Sequence, residues 1–103
     1  QAFRIGDLRI SASPGELFNE LGSEIKRGAG GDTWVASYSS DYIGYISTRQ
    51  PHEETAIIPL NEIVDQSRHR RYYGTTTSPF APEAGEMIVA ESLALLAELD
   101  EGN

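Results

Sequence analysis

The chain has 103 residues, of which 39% are hydrophobic and 23% are charged. These values are typical of one small folded domain and unlike those of disordered chains. The formal net charge of −8 argues against a nucleic-acid partner, because phosphate backbones are themselves negative. The chain has no cysteine, so disulfides, thiolate catalysis and cysteine-based zinc sites are excluded. No apolar run approaches the roughly 20 residues that span a bilayer, and the sequence predicts no transmembrane segment.

The N-terminal third predicts a hairpin followed by a helix. Gly6-Asp7 separates two short apolar stretches, which predicts paired strands over residues 3–5 and 8–12. The next segment, SPGE at residues 13–16, matches the S-x-x-E capping box and places the start of a helix there. Apolar residues then recur at helical spacing: Leu17, Phe18, Leu21 and Ile25. Three glycines are expected to end this helix: Gly28, Gly30 and Gly31.

The middle of the chain predicts two short strands and a long loop. β-Branched and aromatic residues indicate strands over residues 33–38 and 42–47. Trp34, Phe18 and Leu21 are expected in the core. Residues 48–81 have no sustained hydrophobic period, so we expect a mobile loop there, with one helical turn at residues 61–66.

The end of the chain predicts a second helix. Pro82 suits the first helical position, and the helix is expected to end near Leu99, before Gly102. Its apolar residues form one stripe: Ile88, Val89, Leu95, Leu96 and Leu99. Residues 1–103 are therefore predicted to form a single α/β domain with two helices on one face of the sheet. The sheet is expected to be small, mixed or antiparallel, and made of the hairpin and the two short strands.

Four stretches in this order resemble the C-terminal part of the catalytic domain of neutral/alkaline (non-lysosomal) ceramidases. They are RIGDLRISASPGE at 4–16, SSDYIGYISTR at 39–49, RYYGTTTSPF at 71–80 and APEAGEMIV at 81–89. The chain also begins at Gln1, without Met, inside a strand-like pattern, so we expect processing, or excision from a longer polypeptide. The resemblance implies a secreted or extracytoplasmic zinc enzyme that hydrolyses the amide of N-acyl sphingoid lipids.

The resemblance also implies the site residues. The family holds its metal with two His, one Glu and one Tyr; the Glu of the PGE motif falls on Glu16, and the Tyr falls on Tyr45, with Tyr42 as the alternative. A further family Tyr, thought to steady the reacting carbonyl, falls on Tyr72. Tyr73 stands where the family usually has Glu, and residues 50–70 are longer than and unlike the family loop, so substrate range stays open.

The two metal-binding His of the family lie upstream of the matching segment. His52 and His69 lack the i, i+4 spacing and flanking motif of zinc ligands. Two oxygen ligands on a small domain hold zinc weakly, so we expect zinc in the parent enzyme and none bound tightly by this chain alone. The upstream part of the catalytic domain is the expected partner, with a lipid amide as the substrate of the assembled enzyme.

Each site residue also has a structural interpretation. Glu16 satisfies a capping box through backbone N–H groups, Tyr45 suits a half-buried strand position, and Tyr72 suits a surface contact with Arg71. The sequence thus predicts the C-terminal segment of a ceramidase-like zinc amidohydrolase, inactive alone, or alternatively a non-catalytic interaction domain that keeps the family fold. The first hypothesis requires Glu16 and Tyr45 to lie at the same end of the sheet, because ligands of one zinc ion are close neighbours.

Overall fold

The computed structural model describes residues 1–56 and 78–102. These residues form a small α/β fold, as the sequence predicts, and its strands are divided between one three-stranded sheet and one two-stranded sheet. The strands are β1 (Ala2–Ile5), β2 (Leu8–Ala12), β3 (Glu16–Leu17), β4 (Thr33–Ala36) and β5 (Tyr45–Ile46). The helices are α1 (Asn19–Ala29), α2 (Arg49–Ala56) and α3 (Ala84–Glu101). No described helix has both the length and the apolar character to cross a membrane.

The three-stranded sheet has the strand order β1-β2-β4. β1 and β2 form the predicted antiparallel hairpin, and Gly6 occupies its turn with a φ of 61°, a backbone conformation that glycine adopts without a steric penalty. β4 pairs with β2 in parallel, with α1 as the connection between them. The second sheet pairs β3 with β5, also in parallel. The sheet is therefore mixed, one of the two arrangements that the sequence left open.

One face of the larger sheet is covered by α1 and α3, which also pack against each other. Five buried side chains form the core between these elements: Leu21, Ile25, Ile46, Val89 and Leu96. Leu21 and Ile25 come from α1, and Val89 and Leu96 come from α3. In each helix the two residues lie on the same side, as the 3.6-residue period predicts. The predicted apolar faces of the two main helices are thus the faces that pack.

The opposite face of this sheet stays open, and we call it the open face. Phe3, Ile10 and Trp34 are partners across the three strands, so their side chains lie on the same side of the sheet. Trp34 is 61% exposed and Phe3 is 48% exposed. The expectation of Trp34 as a core residue is therefore wrong, because its strand position points away from the helices.

The capping box does not start a helix. Glu16 lies in β3, and α1 begins at Asn19 after Phe18, which makes no side-chain capping bond. Glu16 N donates to the Gly44 carbonyl (2.8 Å) and Phe18 N donates to the Ile46 carbonyl (3.0 Å). Pairing with β5 therefore uses the backbone groups that an earlier helical turn would need. The helix does end at glycine, since Gly30 is its C-cap.

The segment after β4 differs from its predicted form in two places. The expected strand over 42–47 is reduced to Tyr45–Ile46, since Gly44 at a φ of 91° interrupts an extended course. The expected loop over 48–81 begins with α2 (Arg49–Ala56), so its first part is helical. The helical turn expected at 61–66 and most of the expected mobile loop lie outside the described residues.

Candidate functional site

The candidate site lies where the parallel strands β2 and β4 end. Their last residues, Ala12 and Ala36, are partners, so the two following loops leave the same edge of the sheet. Backbone hydrogen bonds join these loops: Ser13 N donates to the Ala36 carbonyl (2.9 Å), and Ser39 N donates to the Ser13 carbonyl (3.0 Å). The PGE segment is thereby held against the loop that precedes β5.

Gly15 has a steric role in this segment. It is buried, and a Cβ added there would lie 2.5 Å from Ile46 Cδ1 and 3.2 Å from the Gly44 carbonyl oxygen. Real Cβ atoms do not approach neighbours so closely, so a side chain would force β3 away from β5. The glycine before Glu16 therefore permits the strand pairing that places this glutamate.

The Glu16 carboxylate is held by two phenols. Tyr38 OH donates to Oε1, and Tyr42 OH donates to Oε2 at 2.9 Å. The two rings are stacked, with centroids 5.7 Å apart and planes 6° from parallel. Both tyrosines are exposed. The carboxylate is thus oriented by a separate hydrogen bond on each oxygen while remaining within reach of solvent.

The hydrogen bond to Glu16 also changes the acidity of Tyr38. The pKa of Tyr38 is raised to about 12, first because its hydroxyl donates to Glu16 and further because that carboxylate is negatively charged. A phenol bonded to a carboxylate is stabilised in its neutral form. Tyr38 is therefore a hydrogen-bond donor throughout the physiological pH range.

Tyr45 lies beside Glu16 on the neighbouring strand. The two residues are direct partners in the parallel β3–β5 pair, and the Tyr45 backbone carbonyl accepts a hydrogen bond from Ser78 Oγ (2.7 Å). The structure thus brings Glu16, Tyr45 and Tyr42 to the same end of the sheet, the placement that a shared metal ion would require. The metal-binding roles of Glu16 and Tyr45 stay predictions. Tyr72, the predicted carbonyl-steadying residue, lies outside the described residues.

Tyr38 is the residue that sequence reasoning missed. It sits just after β4 in the left-handed region, with a φ of 55°, and Ser40 follows at a φ of 72°. Such values are rare for residues other than glycine, asparagine and aspartate. The sequence SSD at 39–41 indicates a turn directly after Tyr38. This turn is the one sequence signal that the Tyr38 side chain does not follow the alternating in-and-out pattern of β4.

The donor set of the site is made of oxygen atoms. It comprises the Glu16 carboxylate, which suits a divalent cation such as zinc if other ligands complete the shell, and the neighbouring phenols. Within residues 1–56 and 78–102, no three His, Cys, Asp or Glu side chains form a metal-binding group. The described residues therefore fit part of a metal centre, with Glu16 as its one carboxylate.

An apolar groove of about 510 Å³ lies between the segment around β5 and helix α3. One side of the groove comes from Ile43 and Ile46, which directly follow Tyr42 and Tyr45 in the sequence. The other side of the groove comes from α3 and the residues before it. The lining residues are Ile43, Ile46, Phe80, Ala81, Ala84, Met87, Ile88 and Glu91. The groove suits an apolar group more than a polar one, since Glu91 is the one charged side chain among the described residues that line it.

No protein-family model, curated protein or solved structure matches the chain at a significant level.

Proposed function

We propose that the chain is the metal-site segment of a ceramidase-like zinc amidohydrolase, with Glu16 and Tyr45 as two of the metal ligands. The observation that carries this proposal is the pairing of Glu16 with Tyr45 across β3 and β5. The resemblance assigns both residues to one metal ion, although they come from distant parts of the chain. Their placement as neighbours supports that assignment.

In this function the residues of the chain bind and orient. Glu16 offers a carboxylate whose position is restrained by Tyr38 and Tyr42, and Tyr45 offers a phenol oxygen on the adjacent strand. A bound zinc ion would supply Lewis-acid activation of water and of the amide carbonyl. Tyr72 is assigned to the developing oxyanion by resemblance alone. Upstream ligands complete the centre, so the isolated chain binds zinc weakly and does not turn over substrate.

The apolar groove supports a lipid amide as the substrate class. Ile43 and Ile46, which line the groove, directly follow Tyr42 and Tyr45 in the chain, and within β5 the Ile46 and Tyr45 side chains point to opposite faces. An alkyl chain placed there would be removed from water, at about 0.8 kcal/mol for each buried methylene.

Zinc titration of the 103-residue chain tests the ligand assignment. Binding followed by NMR shifts of the Glu16 and Tyr45 amides detects affinities in the millimolar range. We expect saturable shifts in the unmodified chain and their loss in Glu16→Gln and in Tyr45→Phe. Glu20→Gln is the matched control, since Glu20 is an exposed acidic residue in the first turn of α1. Equal binding by Glu16→Gln and Glu20→Gln would remove Glu16 as a ligand.

An activity assay tests the expectation that the chain is inactive alone. With added zinc, the purified chain should hydrolyse an N-acyl sphingosine no faster than a control without protein. Turnover by a homogeneous sample that disappears in Glu16→Ala would show that the chain needs no upstream ligands. The activity of a longer polypeptide containing this segment should fall in the same variant.

The open face favours a second candidate, a non-catalytic interaction domain. Phe3, Ile5 and Trp34 expose large apolar surfaces on the two edge strands of one sheet, and exposed apolar surfaces of this kind mark contacts with other protein. This candidate makes no demand on Glu16 or Tyr45. Zinc shifts that are equal in the Glu16 variant and its control would favour it.

A further inference from the structure

The backbone of Tyr38 is held in an unfavourable conformation. Its φ of 55° brings Cβ close to the following carbonyl oxygen in a residue with a side chain. Tyr38 is also 60% exposed, so burial of its ring contributes little to stability. A strained, exposed tyrosine is therefore explained better by the hydrogen bond that its hydroxyl makes than by packing.

Local contacts fix this conformation. Tyr38 N donates to the Gly15 carbonyl (3.4 Å), and the next residue, Ser39, donates to the Ser13 carbonyl (3.0 Å). The turn that carries Tyr38 is thus attached to the residues immediately before Glu16. With the backbone held on both sides and the ring stacked on Tyr42, the Tyr38 hydroxyl lies where it donates to Glu16 Oε1.

We propose that Tyr38 is a positioning residue, whose phenol holds the Glu16 carboxylate in the orientation in which it binds a divalent cation. The inference rests on the proposed function. Partners that orient a metal ligand through hydrogen bonds commonly change metal affinity by about 10–100-fold. Tyr42 donates to the other oxygen, so each phenol restrains a different half of the carboxylate.

Zinc affinity and thermal stability, measured in the same set of variants of the 103-residue chain, test this role. Tyr38→Phe keeps the ring and the backbone conformation but removes the donor, so we expect zinc affinity to fall roughly tenfold with little change in Tm. Trp34→Phe, at an exposed aromatic residue outside the site, is the control and should bind zinc like the unmodified chain. Zinc alone is the probe, followed by the Glu16 and Tyr45 amide shifts.

Two further variants separate positioning from stability. Tyr38→Ala and Tyr38→Gly both remove the phenol, but glycine relieves the strain at a positive φ. We therefore expect Tyr38→Gly to have the higher Tm of the two, with equally weakened zinc binding. Zinc affinity that follows Tm across these variants, or Tyr38→Phe binding like Trp34→Phe, would overturn the positioning role.

The two proposals fail in different ways. If Glu16→Gln abolishes zinc binding while Tyr38→Phe retains full affinity, the positioning role is wrong and the ligand assignment stands. If Glu16→Gln retains full affinity, the ligand assignment itself is wrong.

Discussion

A hydrogen bond from the Tyr38 phenol to the Glu16 carboxylate couples these two residues. The pKa of Tyr38 is raised to about 12, first through its hydrogen bond to Glu16. The bond favours the neutral phenol in the folded chain. Its contribution to stability is therefore complete below the ordinary value of 10.0 and is lost as the pH rises through about 12.

Spectroscopic titration of the phenols in alkaline solution tests this dependence. In the folded chain, the ring signals of Tyr38 should change near pH 12, and this late step should be missing in Tyr38→Phe. In Glu16→Gln the same signals should change at a lower pH, because the neutral amide removes the negative charge. Glu20→Gln serves as the control. An unchanged Tyr38 titration in Glu16→Gln would contradict the hydrogen bond between the two residues.

At the scale of single residues, local sequence predicts which residues are candidates for the site, but not which distant residues they contact. The PGE motif identifies Glu16, yet the S-x-x-E pattern concerns four neighbouring residues and carries no information about pairing with Tyr45. The helix start was misplaced for that reason. Tyr38 was overlooked because its role follows from a positive φ and a distant carboxylate, neither of which strand periodicity reveals.

Among the larger elements, β2, α1 and α3 are joined by one side chain. Arg9 of β2 donates to Asp100 of α3 at 2.6 Å and to the Ala29 and Gly30 carbonyls at the end of α1. The Arg9 side chain is 12% exposed, whereas that of Asp100 is 50% exposed. Arg9 therefore satisfies carbonyls that a helix end leaves without donors while joining both helices to the sheet.

Arg9→Met should lower the free energy of unfolding by about 1–3 kcal/mol, because charge-assisted hydrogen bonds and capping contacts are lost together. Urea unfolding followed by circular dichroism measures the change. Arg4→Met is the matched control, since Arg4 is the cross-strand partner of Arg9 and is exposed; its effect should stay within about 0.5 kcal/mol. Equal losses in the two variants would mean that Arg9 does not join the elements.

The elements that the sequence predicts well are those with a clear hydrophobic period or a clear turn motif. The hairpin around Gly6-Asp7 and the two main helices were recognised because alternation, a turn signal and a 3.6-residue stripe each act locally. β3 is not predicted, since a strand of two residues is too short to show a period, and β5 occupies only two residues of the strand predicted over 42–47. Helix α2 falls within the predicted loop over 48–81, because its sequence, RQPHEETA, has no apolar stripe.

At the scale of the whole molecule, the sheet has one covered and one open face. The covered face holds the core, with Leu21 at 2% exposure, while Ile5 on the open face is 69% exposed. An apolar sheet face in water suits a chain that packs against further protein, which both candidate functions require. In the first the partner is the upstream part of the catalytic domain, and in the second it is another protein.

Replacing Phe3 and Trp34 together by threonine tests whether the open face is exposed in solution. Threonine is favourable in strands, and Trp34 is 61% and Phe3 48% exposed, so each replacement should lower the free energy of unfolding by less than the truncation of a core residue. Binding of a hydrophobic fluorescent dye should fall, because the apolar face supplies the dye site. Leu21→Ala, in the covered face, is the contrasting variant and should cost about 2–5 kcal/mol. A loss in the threonine variant as large as that in Leu21→Ala would mean that the face is covered in the folded chain and is not a surface for a partner.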